Sequence, residues 1–264
     1  MLTIPPPLRV ALLTSHRSPG LPDLLRDPLH GAAYALVGVI SSEHHYADGA
    51  TCASHDVPVR HRPIRAFHRA ARAALSDRTV RERFDEALAE ALAAWRPDVV
   101  LCCGYLYVLT APVLDRWPGA VFNLHHSDML DRDAARRPRY PGLRAVRDAI
   151  VAGAVETRTS VHVVTDALDD GPVVMRSWAF PVSPLAAEAR RLGAADLLKA
   201  YVWAHQEWML RRAWGPLMVR TLVQASIDRG RLARGQMLSG APWDLFEDGR
   251  LAPARRAVPE GVRQ

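Results

Sequence analysis

Short apolar runs alternate with segments of helical spacing along most of the chain. Residues 8–14 (LRVALLT) and 35–40 (ALVGVI) are uninterrupted apolar stretches rich in branched side chains, the pattern of strands buried on both faces. Between them, 22–29 has the leucine spacing of a short helix. Asp77 is placed to cap a longer helix in which Val80, Phe84, Leu88, Ala91 and Trp95 recur every three or four residues, and Pro97 ends it. Strand 98–104 (DVVLCCG) follows, then a short helix capped by Thr110 with Pro112 in its first turn, then strand 119–125 (GAVFNLH).

A helix over 143–151 precedes two strands, 159–165 and 172–180, whose intervening turn, 166–171, allows them to pair as a hairpin at a sheet edge. From about residue 194 to 228 the pattern is helical, with an interruption expected at Gly215-Pro216. Residues from Arg229 onward are basic, proline-containing and weakly periodic, and are expected to form a poorly ordered or docked tail. Strand–helix alternation predicts an α/β fold, a mostly parallel sheet with helices on both faces. The division expected is an N-terminal extension (1–7), a catalytic domain (8–183) and a helical C-terminal extension (184–264).

Composition changes this picture little. At 264 residues, with 49% hydrophobic and 23% charged, the chain has the profile of an ordinary globular protein. No apolar run approaches membrane-span length and the start lacks the layout of a signal peptide, so a cytoplasmic protein that makes no membrane contact is expected. The formal charge of +6 comes with 34 basic residues of which only Lys199 is lysine, a compositional preference for arginine. The arginine clusters are not interleaved with stacking aromatics, so no nucleic-acid partner is expected. Cys52, Cys102 and Cys103 form no CxxC pair, and His44-His45 lack further ligands at metal spacing, so no metal is expected. Tyr201, Trp203, Trp208 and Trp214 on the C-terminal helices suggest packing or a homodimer contact rather than ligand stacking.

In an open parallel sheet, ligands bind beyond the carboxyl ends of the strands. Three polar clusters follow predicted strands: 104–109, 123–127 and 166–172. Asn123 and His125, two apart on one strand, emerge on the same side. They supply an amide donor and a titratable ring, and a carboxylate from Asp169 would orient and charge the histidine, the set that acyl transfer requires. On residue types alone each also has a structural reading: His125 as a hydrogen-bonded strand-end histidine, Asn123 as a turn residue bonding its own backbone, and Asp169 as an ordinary turn aspartate.

Three stretches, Asn123-Leu124-His125-His126-Ser127, Tyr140-Pro141-Gly142-Leu143 and 159–173 (TSVHVVTDALDDGPV), resemble in order and placement the folate-dependent formyltransferase family, which includes glycinamide ribonucleotide formyltransferase and formyltetrahydrofolate deformylase. The resemblance runs from about residue 8 to 180. It implies a Rossmann-like formyltransferase fold, 10-formyltetrahydrofolate as co-substrate, and Asn123, His125 and Asp169 as catalytic residues. It also implies a pterin seated against Leu106, Tyr107, Val108 and Leu109 and against Val164, Thr165, Asp166, Ala167 and Leu168, largely through backbone groups. The activity expected is transfer of the formyl group to the amine of a small-molecule acceptor. Asn123 and a protonated His125, its pKa raised by Asp169, would hold the oxyanion.

The chain also departs from that family. The glycinamide ribonucleotide enzymes hold a substrate phosphate in a glycine- and serine-rich loop after the first strand. Here that loop reads Ser15-His16-Arg17-Ser18-Pro19-Gly20, with Arg17 expected as a solvated turn arginine. His125-His126 and Asp169-Asp170 look like the deformylase branch, which makes hydrolysis of 10-formyltetrahydrofolate the alternative, although a first strand at residue 8 leaves no room for the regulatory domain common in that branch. A catalytically silent binding or scaffold protein is the alternative from another class. Residues 128–139 (DMLDRDAARRPR) are longer and more charged than the family's loop, and read either as a lid over the acceptor or as a surface insertion. His162, on the strand leading to the Asp169 turn, matches a family position but is read as structural.

Overall fold

Seven residues, Leu8–Thr14, form strand β1 in the computed structural model, which describes residues 6–254, and every one but Arg9 is buried. Such a strand has no solvent face to alternate toward, which is why its sequence is apolar throughout. Helix α1 (Leu21–Arg26) leads to β2 (Tyr34–Ser41), and α2 (Gly49–Ala53) to β3 (Val59–His61). After α3 (Ile64–Ala70), helix α4 (Arg78–Ala93) begins where expected, because the Asp77 carboxylate accepts the Val80 N–H at 3.1 Å. Val80, Phe84, Leu88 and Ala91 are buried on its inner face. Strand β4 (Val99–Cys102), helix α5 (Ala111–Leu114) and strand β5 (Val121–His125) complete a parallel array ordered β3-β2-β1-β4-β5.

Beyond β5 the chain forms α6 (Ala145–Ala152), a short β6 (Glu156–Thr157), then β7 (Ser160–Val163) and β8 (Val173–Arg176). β7 pairs antiparallel with both β5 and β8. After β9 (Phe180–Pro181), which pairs with β6, come α7 (Pro184–Arg191), the 33-residue α8 (Ala195–Ile227) and α9 (Arg229–Leu232). Strands β10 (Trp243–Leu245) and β11 (Leu251–Pro253) follow. Among the described residues the main sheet has nine strands in the order β11-β10-β8-β7-β5-β4-β1-β2-β3.

Two features depart from the sequence reading. The β7–β8 hairpin is not at the edge, because β10 pairs parallel with β8 and β11 pairs with β10. The segment after Arg229 therefore extends the sheet as far as the described residues run, and residues 255–264 of the expected tail, like residues 1–5 of the N-terminal extension, lie outside them. Helix α8 also passes through Gly215-Pro216 without a break. Gly215 serves close packing: a Cβ there would lie 2.2 Å from Asp23 Oδ2, and one on Gly20 would lie 2.4 Å from Gly215 N, so α8 and the start of α1 touch backbone to backbone.

One hydrophobic cluster runs through both the strands and the C-terminal elements, joining Leu12, Val100 and Phe122 to Met209, Trp214, Leu217, Leu238 and Leu245. Trp214 is buried, while Trp203, on the same helix, is 68% exposed. Among the described residues no helix is long and apolar enough to cross a membrane.

Candidate active site

Strand β5 ends on Asn123, Leu124 and His125, and antiparallel pairing places His162 of β7 directly opposite Asn123. Directly opposed side chains project from the same face of a sheet. Accordingly, Asn123 Nδ2 lies 3.0 Å from His162 Nε2. The other ring nitrogen of His162, Nδ1, is 3.0 Å from the Val163 carbonyl oxygen, which can only accept. Nδ1 therefore carries the hydrogen, Nε2 is left as an acceptor, and Asn123 donates to it. One hydrogen bond of the strand histidine fixes which way the catalytic-candidate amide points.

Because β7 runs opposite to β5, the turn after it leaves at the level of Phe122 instead of beyond His125. The turn curls back. Asp169, held at φ 47°, brings Oδ2 to 3.6 Å from His125 Nδ1 and Oδ1 to 3.8 Å from His162 Nε2. Aspartate tolerates this left-handed conformation better than most residues, and such strain collects where a side chain must be aimed. Gly142 N donates to Asp169 Oδ2 at 2.8 Å, fixing the carboxylate from the Tyr140–Leu143 side. Gly171 lets the hairpin close: a Cβ there would meet the Val163 carbonyl oxygen at 1.7 Å.

His125 is 5% exposed, its Nε2 is 3.4 Å from the Tyr140 carbonyl oxygen, and its ring stacks on His126 with centroids 5.1 Å apart. Its main chain is fixed from α8, since Trp214 Nε1 donates to Thr159 Oγ1 at 3.0 Å and Thr159 Oγ1 donates to the His125 carbonyl at 2.7 Å. Asp169 acts on the ring in the expected direction, but burial acts more strongly the other way, and His125 lies below the usual histidine range. Burial thus favours the neutral imidazole, where the sequence reading expected a protonated ring. Burial also places His162 below the usual range and takes His126 down to about 4.

These groups line a cavity of about 510 Å³. Of the residues expected to seat a pterin, Leu106, Tyr107, Val108, Leu109, Val164, Thr165, Ala167 and Leu168 line it, and Asp166 does not. Asp166 lies on the same turn with its side chain exposed to solvent. Trp214, packed in the core as expected, also lines the cavity, as do Pro141, Gly142 and His162. The wall at Leu106–Leu109 is braced from behind. Asp85 Oδ2 accepts from Thr110 N and Thr110 Oγ1, both at 2.7 Å, and Arg81 Nη1 donates to the Val108 carbonyl at 3.1 Å. Burial raises the Asp85 carboxyl to about 6.

The charged segment 128–139 folds on itself. Arg137 pairs with Asp133 at 3.2 Å and Arg139 with Asp131 at 3.0 Å, while Arg132 reaches Asp170 at 2.7 Å, so the loop is tied to the residue next to Asp169.

A phosphoribosylglycinamide formyltransferase of Escherichia coli is 36% identical over 97 residues, which are 37% of this chain and 42% of that protein. A formyltetrahydrofolate deformylase of Escherichia coli is 32% identical over 96 residues, 36% of this chain and 31% of that one. The aligned stretches thus span less than half of either relative. Among solved structures, glycinamide ribonucleotide transformylase 1 from Symbiobacterium toebii matches 78% of this chain and 89% of its own at 26% identity and a TM-score of 0.56. Phosphoribosylglycinamide formyltransferase from Anaplasma phagocytophilum covers 96% of this chain and 97% of its own with a TM-score of 0.59, at 19% identity a likeness of fold. The family model described as formyl transferase matches residues 8–195, and with the Rossmann-like sheet around Asn123, His125 and Asp169 this places the chain in the formyl transferase family.

Proposed function

We propose that the chain transfers a formyl group from 10-formyltetrahydrofolate to the amine of a small acceptor. The observation that carries this reading is the convergence of an amide, an imidazole and a carboxylate on one cavity wall from separated stretches of sequence. The cavity suits the donor. Leu106, Val108 and Leu168 line it while 42%, 44% and 58% exposed, apolar surface that a flat pterin would cover.

Asn123 has two N–H bonds and His162 engages one, so the other is available to the formyl oxygen as negative charge gathers there. His125, neutral before reaction, takes the proton that the attacking amine loses, the Asp169 carboxylate stabilises the imidazolium, and the imidazolium returns that proton to N10 as the bond between N10 and the formyl carbon breaks and tetrahydrofolate leaves. The 3.6 Å separation of that pair is too long for a hydrogen bond and would shorten as the ring becomes charged.

The test is incubation of the purified protein with 10-formyltetrahydrofolate, following tetrahydrofolate and formate with and without a panel of amines. Tetrahydrofolate release that depends on an amine, without formate, is the expected result. A second reading, hydrolysis with water as acceptor, is favoured by the 32% identity over 96 residues to a formyltetrahydrofolate deformylase. Amine-independent formate release would establish it.

A further inference from the structure

The loop between β1 and α1 borders a second cavity, of about 380 Å³, lined by residues including Arg17, Ser18, Asp48, Glu207, Leu210 and Arg211. The two cavities are neighbours. Gly104, in the wall of the first, packs so closely on this loop that a Cβ there would lie 2.7 Å from the Arg17 carbonyl oxygen. On α8, Leu210 faces the second cavity and Trp214 the first, one helical turn or about 6 Å apart.

A loop leaving the first strand of an α/β sheet and opening a helix is a place where backbone N–H groups commonly receive phosphate. In this chain the amide at the centre of the loop and the nearest guanidinium are engaged. Ser18 N donates to Asp48 Oδ2 at 2.7 Å, and the Ser18 side chain is buried and accepts from Tyr46 OH at 2.9 Å. Arg17 is exposed, as expected of a turn arginine, but it is paired. Its Nη1 donates to Glu207 Oε2 at 3.0 Å and its Nη2 to Oε1, a two-pronged pair that holds Arg17 above and Glu207 below their usual pKa ranges. Arg211 lies 3.8 Å from the same carboxylate. Two guanidinium groups thus stand against two carboxylates.

A phosphate bound through the Ser18 amide and the Arg17 guanidinium would have to displace Asp48 from the one and Glu207 from the other, then sit beside both displaced carboxylates. Like-charge juxtaposition of this kind is a standard means of rejecting a ligand. A hydroxyl group both donates and accepts, and so can join an arginine–carboxylate pair without breaking it.

We propose that the second cavity receives the non-reacting end of the acceptor and selects a hydroxyl-bearing, phosphate-free amine. This rests on the formyl-transfer reading for the acceptor's role, while exclusion of phosphate from the loop is independent of it.

The test has two arms. In the first, inorganic phosphate is titrated into the ¹⁵N-labelled protein while the Ser18 and Arg17 amides are followed. No saturable shift up to tens of millimolar is expected, and saturation at low millimolar phosphate or below would overturn the proposal. The double variant Asp48→Asn, Glu207→Gln frees the Ser18 amide and Arg17 and is expected to gain that saturable shift. In the second arm, amino sugars and their phosphate esters are compared as acceptors. The unphosphorylated form is expected to lead by about tenfold or more in kcat/KM. An equal or better phosphorylated acceptor would overturn the proposal. Formate release independent of amine would instead overturn the transferase reading and leave the phosphate titration to judge the loop.

Discussion

Arg176 grips Asp244 with two parallel hydrogen bonds, Nε to Oδ1 at 2.7 Å and Nη2 to Oδ2 at 3.0 Å, and so fastens β10 to β8 through side chains as well as backbone. The same guanidinium donates through Nη1 to Asp128 at 2.8 Å, at the root of the charged 128–139 loop. With Arg176 only 8% exposed, removing Asp244 takes two charge-assisted hydrogen bonds from a buried guanidinium and leaves Asp128 paired with it. Asp244→Ala is expected to cost about 3 kcal/mol in denaturant unfolding. A loss under about 0.5 kcal/mol, the level of an ordinary surface substitution, would show that the pair contributes nothing.

In the proposed mechanism Asn123 supplies the N–H donor for the reacting oxygen. Asn123→Ala is expected to lower kcat on the order of a hundred- to a thousand-fold with little change in folate-analogue affinity. His162→Ala, which releases the Asn123 amide from its fixed orientation, should lose activity in the same direction by a smaller factor. An unchanged kcat in Asn123→Ala would remove the residue from the mechanism.

Burial keeps His125 neutral, and Asp169 opposes that effect. The rate should therefore be flat around neutral pH and fall only as the pH drops through a histidine pKa below the usual range, because the base is then protonated before the amine can give up its proton. Asp169→Asn removes the influence that raises the pKa, so its acid limb should move to lower pH while the plateau falls. A wild-type acid limb above the ordinary histidine pKa would contradict the neutral imidazole.

Asp85 is fully buried behind the Leu106–Leu109 wall, with its carboxyl raised from 3.8 to about 6. A carboxyl that holds its proton more tightly when folded makes the fold less stable as pH rises between those two values. Relative to wild type, Asp85→Asn should gain up to about 3 kcal/mol as the pH is taken from below the lower value to above the upper one. Parallel stability–pH curves for the two proteins would refute this.

Much of the architecture was legible in the pattern of apolar residues. Strands buried on both faces leave continuous apolar runs, and Leu8–Thr14 and the Asp77-capped helix follow directly from them. The β10–β11 hairpin was not legible, because three-residue strands at a sheet edge leave too short a trace and gain their stability from Arg176 and the backbone of β8. Gly215-Pro216 reads locally as a helix break, yet the glycine answers to the approach of α1, a contact between residues nearly two hundred positions apart. At the site, residue types and family likeness singled out Asn123, His125 and Asp169. The position of His162 depended on strand register, which pairs it with Asn123, and the protonation of His125 on burial, which residue spacing does not encode.

Helix α8 presents Trp214 to one chamber and, a turn earlier, Leu210 and Arg211 to the other, while its backbone is seated against α1. A continuous helix that borders both compartments makes them separately adjustable. Rewriting the turn around 207–211 would reshape the wall of the outer chamber and leave His125 and its tryptophan tether as they are. For anyone seeking to redirect this fold to a new recipient, that single turn is the place to begin.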